Sequence, residues 1–199
     1  MTIHIFGGGT LQYVRNHLAL CAPAYGATAR KLHSLAGEAY SVLHLTKMAD
    51  GSSSMETNED VERRLGEVLA DPDVHAVIFN IALCDYSGQV GEVASGKYAE
   101  RLASRAGEQR MVLTPARKLL NAIKQLRPDI SVVGFKTTAN ASVFEQERLA
   151  RRQMAETGAD LVLANDTVTR TNLLVLAQYT IDGPREDLLA RIVELLRRP

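Results

Sequence analysis

Short apolar runs of strand-like composition alternate with amphipathic, helix-like segments along almost the whole chain, and this alternation constrains the fold more than any other feature. The strongest strand pattern is Val74-His75-Ala76-Val77-Ile78-Phe79-Asn80. It is almost continuously apolar, as a central parallel strand covered on both faces has to be. Further strands are predicted over residues 3–6, 39–46, 129–135, 160–165 and 173–179. Helices are predicted over 23–36, 57–69, 115–126 and 142–157, with a terminal helix from Pro184 whose apolar set is Leu188, Leu189, Ile192, Val193, Leu195 and Leu196. Thr57 and Asp60 have the spacing of a capping box, and Gly158 stops the helix before it. The pattern predicts an α/β, three-layer, Rossmann-like architecture, a mostly parallel sheet with helices on both faces. A length of 199 residues predicts one domain over 1–199.

The remaining segments are less regular. Residues 11–22 and 47–56 read as loops, and 110–113 as a short strand. Residues 87–107 are punctuated by glycine and carry no clear element. If residues 96–106 were helical, Lys97, Arg101 and Arg105 would share one face.

Composition removes several classes of function. Lys plus Arg and Asp plus Glu number 23 each. A formal charge of zero provides no overall field to attract a nucleic acid or an acidic membrane. No run approaches 18 apolar residues, and the start of the chain lacks the basic and apolar regions of a secretion signal. Two cysteines make no disulfide framework. These features predict a cytoplasmic protein. The five histidines and two cysteines lack metal-ligand spacing, so no protein-held metal is expected.

Ligands of open α/β sheets bind outside the C-terminal ends of the strands. Four such ends carry polar or glycine-rich sequence: Gly7-Gly8-Gly9-Thr10, Asn80 to Tyr86, Gly134 to Asn140, and Ala164-Asn165-Asp166. The glycine run either brings backbone N–H groups to a phosphate or simply makes a tight turn. It is neither G-x-G-x-x-G nor a Walker loop, which argues against a nicotinamide- or flavin-dependent oxidoreductase. Asp85 is a candidate to bind a base, a sugar or a metal–phosphate complex, or to cap a helix. Cys84 has no evident activating partner and reads as a structural thiol. Lys97 and Lys136 are candidates to neutralise phosphate charge. Phe135 either stacks on a base or packs in the core. Asn165 and Asp166 either bind a ligand or fold back as an Asx turn.

In order along residues 3–179, these motifs resemble the phosphopantothenoylcysteine synthetase (phosphopantothenate–cysteine ligase) family. Gly7-Gly8-Gly9-Thr10 looks like its opening loop, and Val14-Arg15 and Gly26 like the segment after it. Ala82-Leu83-Cys84-Asp85-Tyr86 is similar to its Ala-Val-Ala-Asp-Tyr/Trp stretch, Val133-Gly134-Phe135-Lys136-Thr137-Thr138 to its Val-Gly-Phe-Ala-x-Glu-Thr strand end, and Ala164-Asn165-Asp166 to its Ala-Asn-Asp. The resemblance implies a stand-alone, divergent member that activates a small phosphorylated carboxylic acid with CTP or ATP and joins it to an amine. It implies Mg2+ arriving with the nucleotide, and a homodimer. It also implies that Gly7, Gly8, Gly9, Thr10, Arg15, Asp85, Phe135, Lys136, Asn165 and Asp166 surround the nucleotide.

Lys97 is the nearest match to the family's catalytic lysine, after a shift of about two positions. The Asn of the family's Ile-Ser-Asn-x-Ser-Ser-Gly run falls on Ala19 here and its serines on Cys21 and Ala22, leaving Asn16 as the substitute. The glutamate of the Phe-Ala-x-Glu-Thr motif is also missing. Two readings follow: a carboxylate–amine ligase, or a non-catalytic nucleotide-binding module derived from that fold.

Overall fold

The computed structural model describes residues 2–197. Its centre is a seven-stranded sheet. Strand β1 (Thr2–Gly9) pairs in parallel with β4 (Ser41–Leu45) on one side and β5 (Val74–Ala82) on the other. Beyond β5 lie β8 (Ser131–Thr138) and β9 (Leu161–Asp166), also parallel. The sheet finishes with antiparallel β10 (Asn172–Leu176) and β11 (Thr180–Asp182). The predicted last strand over 173–179 is therefore two short strands folded back on each other.

Helices α1 (Ala27–Ala36) and α5 (Arg185–Leu196) cover one face through Ala29, Leu32, Leu188, Leu189, Ile192 and Val193. The other face carries α2 (Asn58–Leu69), α3 (Leu120–Leu126) and α4 (Val143–Thr157), packed through Val61, Leu65, Ile123 and Ala150. The mostly parallel, two-faced α/β architecture predicted from the alternation is present. The α2 capping box is also formed: the Thr57 hydroxyl accepts from Asp60 N–H, and the Asp60 carboxylate accepts from Thr57 N–H at 3.0 Å. Such caps stabilise a helix by about 0.5–2 kcal/mol.

Local predictions fail where tertiary contacts outweigh local pattern. Strand β1 does not stop at the glycines but runs through Gly9, because the absent side chains admit close neighbours. A Cβ on Gly7 would overlap Ala29 of α1, and one on Gly9 would overlap the Ala22 carbonyl. Residues 11–22 are not a loop: β2 (Leu11–Arg15) and β3 (Leu18–Cys21) form a hairpin. Helix α1 begins only at Ala27, after Gly26 turns the chain with φ 74°. Pro115 ends a strand, β7 (Met111–Pro115), which pairs antiparallel with β6 (Tyr86–Val90). Residues 96–103 are not helical, and the following 3-10 turn covers only Ser104–Ala106. Lys97, Arg101 and Arg105 therefore share no helical face. Gly96 and Gly107, poor helix formers, flank that segment.

Candidate functional site

From β1 the chain crosses through α1 to β4 on one side, then returns through α2 to β5 on the other. The strand order reverses between β1 and β5, and such a switch point opens a crevice at the C-terminal strand ends. A cleft of about 800 Å³ lies there. Its walls include Gly8 from β1, Asn80 and Ala82 from β5, Phe135 and Lys136 from β8, the start of α1, and residues 118–121 before and within α3.

One side of the cleft carries the start of α1. No side chain caps α1, and the first intrahelical bond runs from Arg30 N–H to Gly26 O at 3.0 Å. The N–H groups preceding Arg30 are therefore outside the helical ladder and carry the positive end of the helix dipole. Gly8, with φ 106°, lets the backbone approach without a side chain. Tyr25, mostly exposed, stands at the rim.

The structure divides the predicted site residues into three groups. Gly8, Asp85, Phe135 and Lys136 line the cleft. Gly7 and Gly9 lie beside it as points of close approach. Asn165 stands behind the wall, accepting from the Thr137 hydroxyl at 3.4 Å.

A second group serves the framework. Thr10 is fully buried and donates to Asn58 Oδ1 at 2.7 Å, while Cys84 N–H donates to the Thr10 hydroxyl at 2.9 Å. Asn58 closes the loop by donating to the Cys84 carbonyl at 2.9 Å. The Cys84 thiol donates to the Thr10 carbonyl at 3.3 Å, and burial pushes its pKa up, so it stays a thiol. Arg15 is 2% exposed, and its guanidinium donates to the carbonyls of Val14 and Val90, joining β2 to β6. Asp166, 3% exposed, accepts from Asn140, Ala141, Val168 and Thr169 N–H and from the Thr138 hydroxyl, at 2.8–3.0 Å. Burial works against its charge, but these donors win and hold its carboxyl well below the usual range.

The third group is Asn16 and Lys97, which meet each other outside the cleft lining. Asn16 Nδ2 donates to the Lys97 carbonyl at 3.3 Å. The Lys97 ammonium pairs with Glu56 and lies 5.3 Å over the Tyr13 ring. Tyr13 also donates to Glu56 at 3.0 Å. The hydrogen bond to Glu56 raises the Lys97 pKa, and the same bond is the main reason that Glu56 is lowered. Lys97 is thus a fixed cation rather than a proton acceptor.

Sequence reasoning did not single out Lys118, which pairs with Asp85 in the cleft, nor Tyr25 at its rim. The signal for Lys118 was slight: a basic residue just before the apolar pattern of α3, at a distance from Asp85 that only the fold closes.

No protein-family model matches the chain. A 53-residue stretch is 40% identical to the coenzyme A biosynthesis bifunctional protein CoaBC of Thermococcus kodakarensis, spanning 27% of this chain and 13% of that protein's length. Solved structures match over nearly the whole chain. The DNA/pantothenate metabolism flavoprotein of Streptococcus pneumoniae superposes with a TM-score of 0.84 at 18% identity, covering 99% of this chain and 98% of that one. The C-terminal domain of a coenzyme A biosynthesis bifunctional protein CoaBC gives 0.70 at 14% identity, covering 98% and 93%. A Cab2 mutant in complex with phosphopantothenate-cysteine gives 0.64 at 11% identity, covering 98% and 85%. The chain therefore has the fold of the phosphopantothenoylcysteine synthetase domain of coenzyme A biosynthesis.

Proposed function

We propose that this chain is a nucleotide-dependent carboxylate–amine ligase of the phosphopantothenate–cysteine ligase kind. The observation that carries the reading is the switch-point cleft, which sets the uncapped start of α1 and the Gly8 turn opposite Lys118 and Lys136. A nucleotide's phosphates suit the first side, and a phosphorylated acid suits a cleft with basic side chains on the other. The ligase reaction needs no nucleophile from the protein: the amine substrate attacks the activated carboxyl. The protein's share is positioning and stabilisation of phosphate charge.

Magnesium is part of this reading. Among the described residues no group of three or more His, Cys, Asp or Glu side chains could hold a metal. The donor set fits an ion that travels with the nucleotide, since magnesium is commonly bound by one or two carboxylates plus substrate phosphates. Asp85 would hold it, and the ion would neutralise phosphate charge. The homodimer belongs to the same reading, supported by the exposed apolar side chains of Met111, Val112 and Leu113 on β7.

The test is pyrophosphate release with CTP or ATP, magnesium, 4′-phosphopantothenate and cysteine. Pyrophosphate release that requires both the acid and the amine is the expected result. Nucleotide binding without turnover overturns the ligase and leaves the second reading, a non-catalytic nucleotide-binding module. One observation favours that alternative: Asn16 and Lys97 are engaged with each other and with Glu56 and do not line the cleft.

A further inference from the structure

The cleft holds cations on the side away from α1, and they come from two separate elements. Side chains along a strand alternate between faces. Gly134 faces α3 and α4, since a Cβ there would meet Leu120 at 3.2 Å and Gln153 at 2.7 Å. Lys136, two residues on, leaves β8 on the same face, and it has no ion-pair partner among the described residues. Lys118 enters this region from just before α3, two residues ahead of Leu120, and its ammonium pairs with Asp85. Both lysines line the cleft, whereas Lys97 does not.

The Asp85–Lys118 pair is open to water, with the two side chains 68% and 62% exposed. An ion pair so exposed costs little to open. A doubly charged phosphoryl group gives a lysine a stronger partner than one carboxylate does, and a second lysine strengthens it further. Helix α1, on the opposite face of the sheet, provides the other positive end of the cleft.

We propose that Lys118 and Lys136 form a phosphoryl subsite separate from the α1 end of the cleft, with Lys118 passing from Asp85 to the ligand on binding. This rests on the ligase reading for the identity of the ligands but not for the existence of the subsite. The chemistry recognised is a phosphate monoester or a polyphosphate end, which is found on either substrate of such a ligase.

The experiment is calorimetric titration of the parent, Lys118→Met and Lys136→Met with two ligand pairs: 4′-phosphopantothenate against pantothenate, and CTP against cytidine. The expected result is that one phosphorylated ligand loses at least tenfold in affinity in both variants, while its unphosphorylated counterpart changes less than twofold. The pair that responds identifies the source of the phosphoryl group. The subsite is overturned if both phosphorylated ligands bind the variants as they bind the parent, or if the parent binds neither. Circular dichroism and melting of each variant separate a lost contact from a lost fold. Pyrophosphate release by the parent is measured in parallel. Its absence, with the phosphate-dependent binding intact, removes the ligase and leaves the subsite standing.

Discussion

Two aspartates at the C-terminal edge of the sheet, Asp85 after β5 and Asp166 at the end of β9, illustrate opposite uses of a strand-end carboxylate. Asp166 is almost wholly buried and accepts five hydrogen bonds that tie the β8–α4 connection to the turn before β10. Asp85 is exposed, faces the cleft and is held by a single lysine. Both follow apolar strands, and both match a motif of the same family. What separates them is the supply of backbone donors. Residues 138–141 and 167–169 curl around Asp166, with Asn140 held at φ 58°, whereas Asp85 leaves the sheet on its way into the outlying β6–β7 arm. Similar motif positions therefore hold one residue that shapes loops and one that is exposed to the cleft with a single lysine as its partner.

The largest expected effect comes from emptying the buried position. Asp166→Ala leaves four N–H groups and a hydroxyl without their acceptor, and unsatisfied buried donors are costly. Its Tm is expected to fall by about 5 °C or more, read by thermal denaturation. A Tm unchanged from the parent would erase the contrast with Asp85.

The charge on Asp166 makes a second, related prediction. Its folded pKa lies below the ordinary carboxyl value of about 3.9. The stabilisation is then complete above the unfolded value and is lost as pH falls through the folded one. The gap in urea midpoint between the parent and Asp166→Asn should be widest above about pH 5 and narrow steadily below about pH 4. A gap that stays constant down to about pH 3 would mean that the hydrogen bonds do not depend on the charge.

Next in size is the network beneath Asp85. Asn58, at the first turn of α2, accepts from Thr10 and donates to the Cys84 carbonyl, and so fixes the segment from which Asp85 projects. Asn58→Ala should destabilise by about 1–3 kcal/mol, measured by urea denaturation. It should also weaken nucleotide binding, since the cleft wall beside it loosens. Full stability with weakened binding would show that Asn58 acts on the ligand directly.

How much of this was legible in the sequence follows the same division. The apolar run of β5, the capping box of α2 and the Ser142 and Gly158 ends of α4 are local patterns, and the structure has each of them. The β2–β3 hairpin was not legible because its short strands alternate weakly between buried and exposed positions. Asp166 was legible in part, since its bonds from Val168 and Thr169 N–H are the Asx turn the sequence allows. Thr10 and Arg15 were visible as polar residues at strand ends, but their partners are up to 75 residues away in sequence. No local pattern encodes such partners. Lys118 escaped notice for the same reason, being 33 residues from Asp85.

The smallest expected effect on stability completes the comparison. Asp85→Ala removes a carboxylate whose one ion-pair partner, Lys118, is itself exposed, and no backbone donor loses an acceptor. Exposed pairs of this kind add little to folding, so Tm should stay within about 2 °C of the parent. On the proposed function the loss should appear in ligand chemistry instead: magnesium-dependent nucleotide binding should weaken, because Asp85 is the carboxylate proposed to hold the ion. Measuring both quantities on one preparation is what gives the comparison force. A Tm drop as large as that of Asp166→Ala would place Asp85 in the framework and return the cleft's ligand contacts to Lys118, Lys136 and the start of α1. An unchanged Tm with weakened binding would separate the two aspartates by role, although both stand at strand ends of the same sheet.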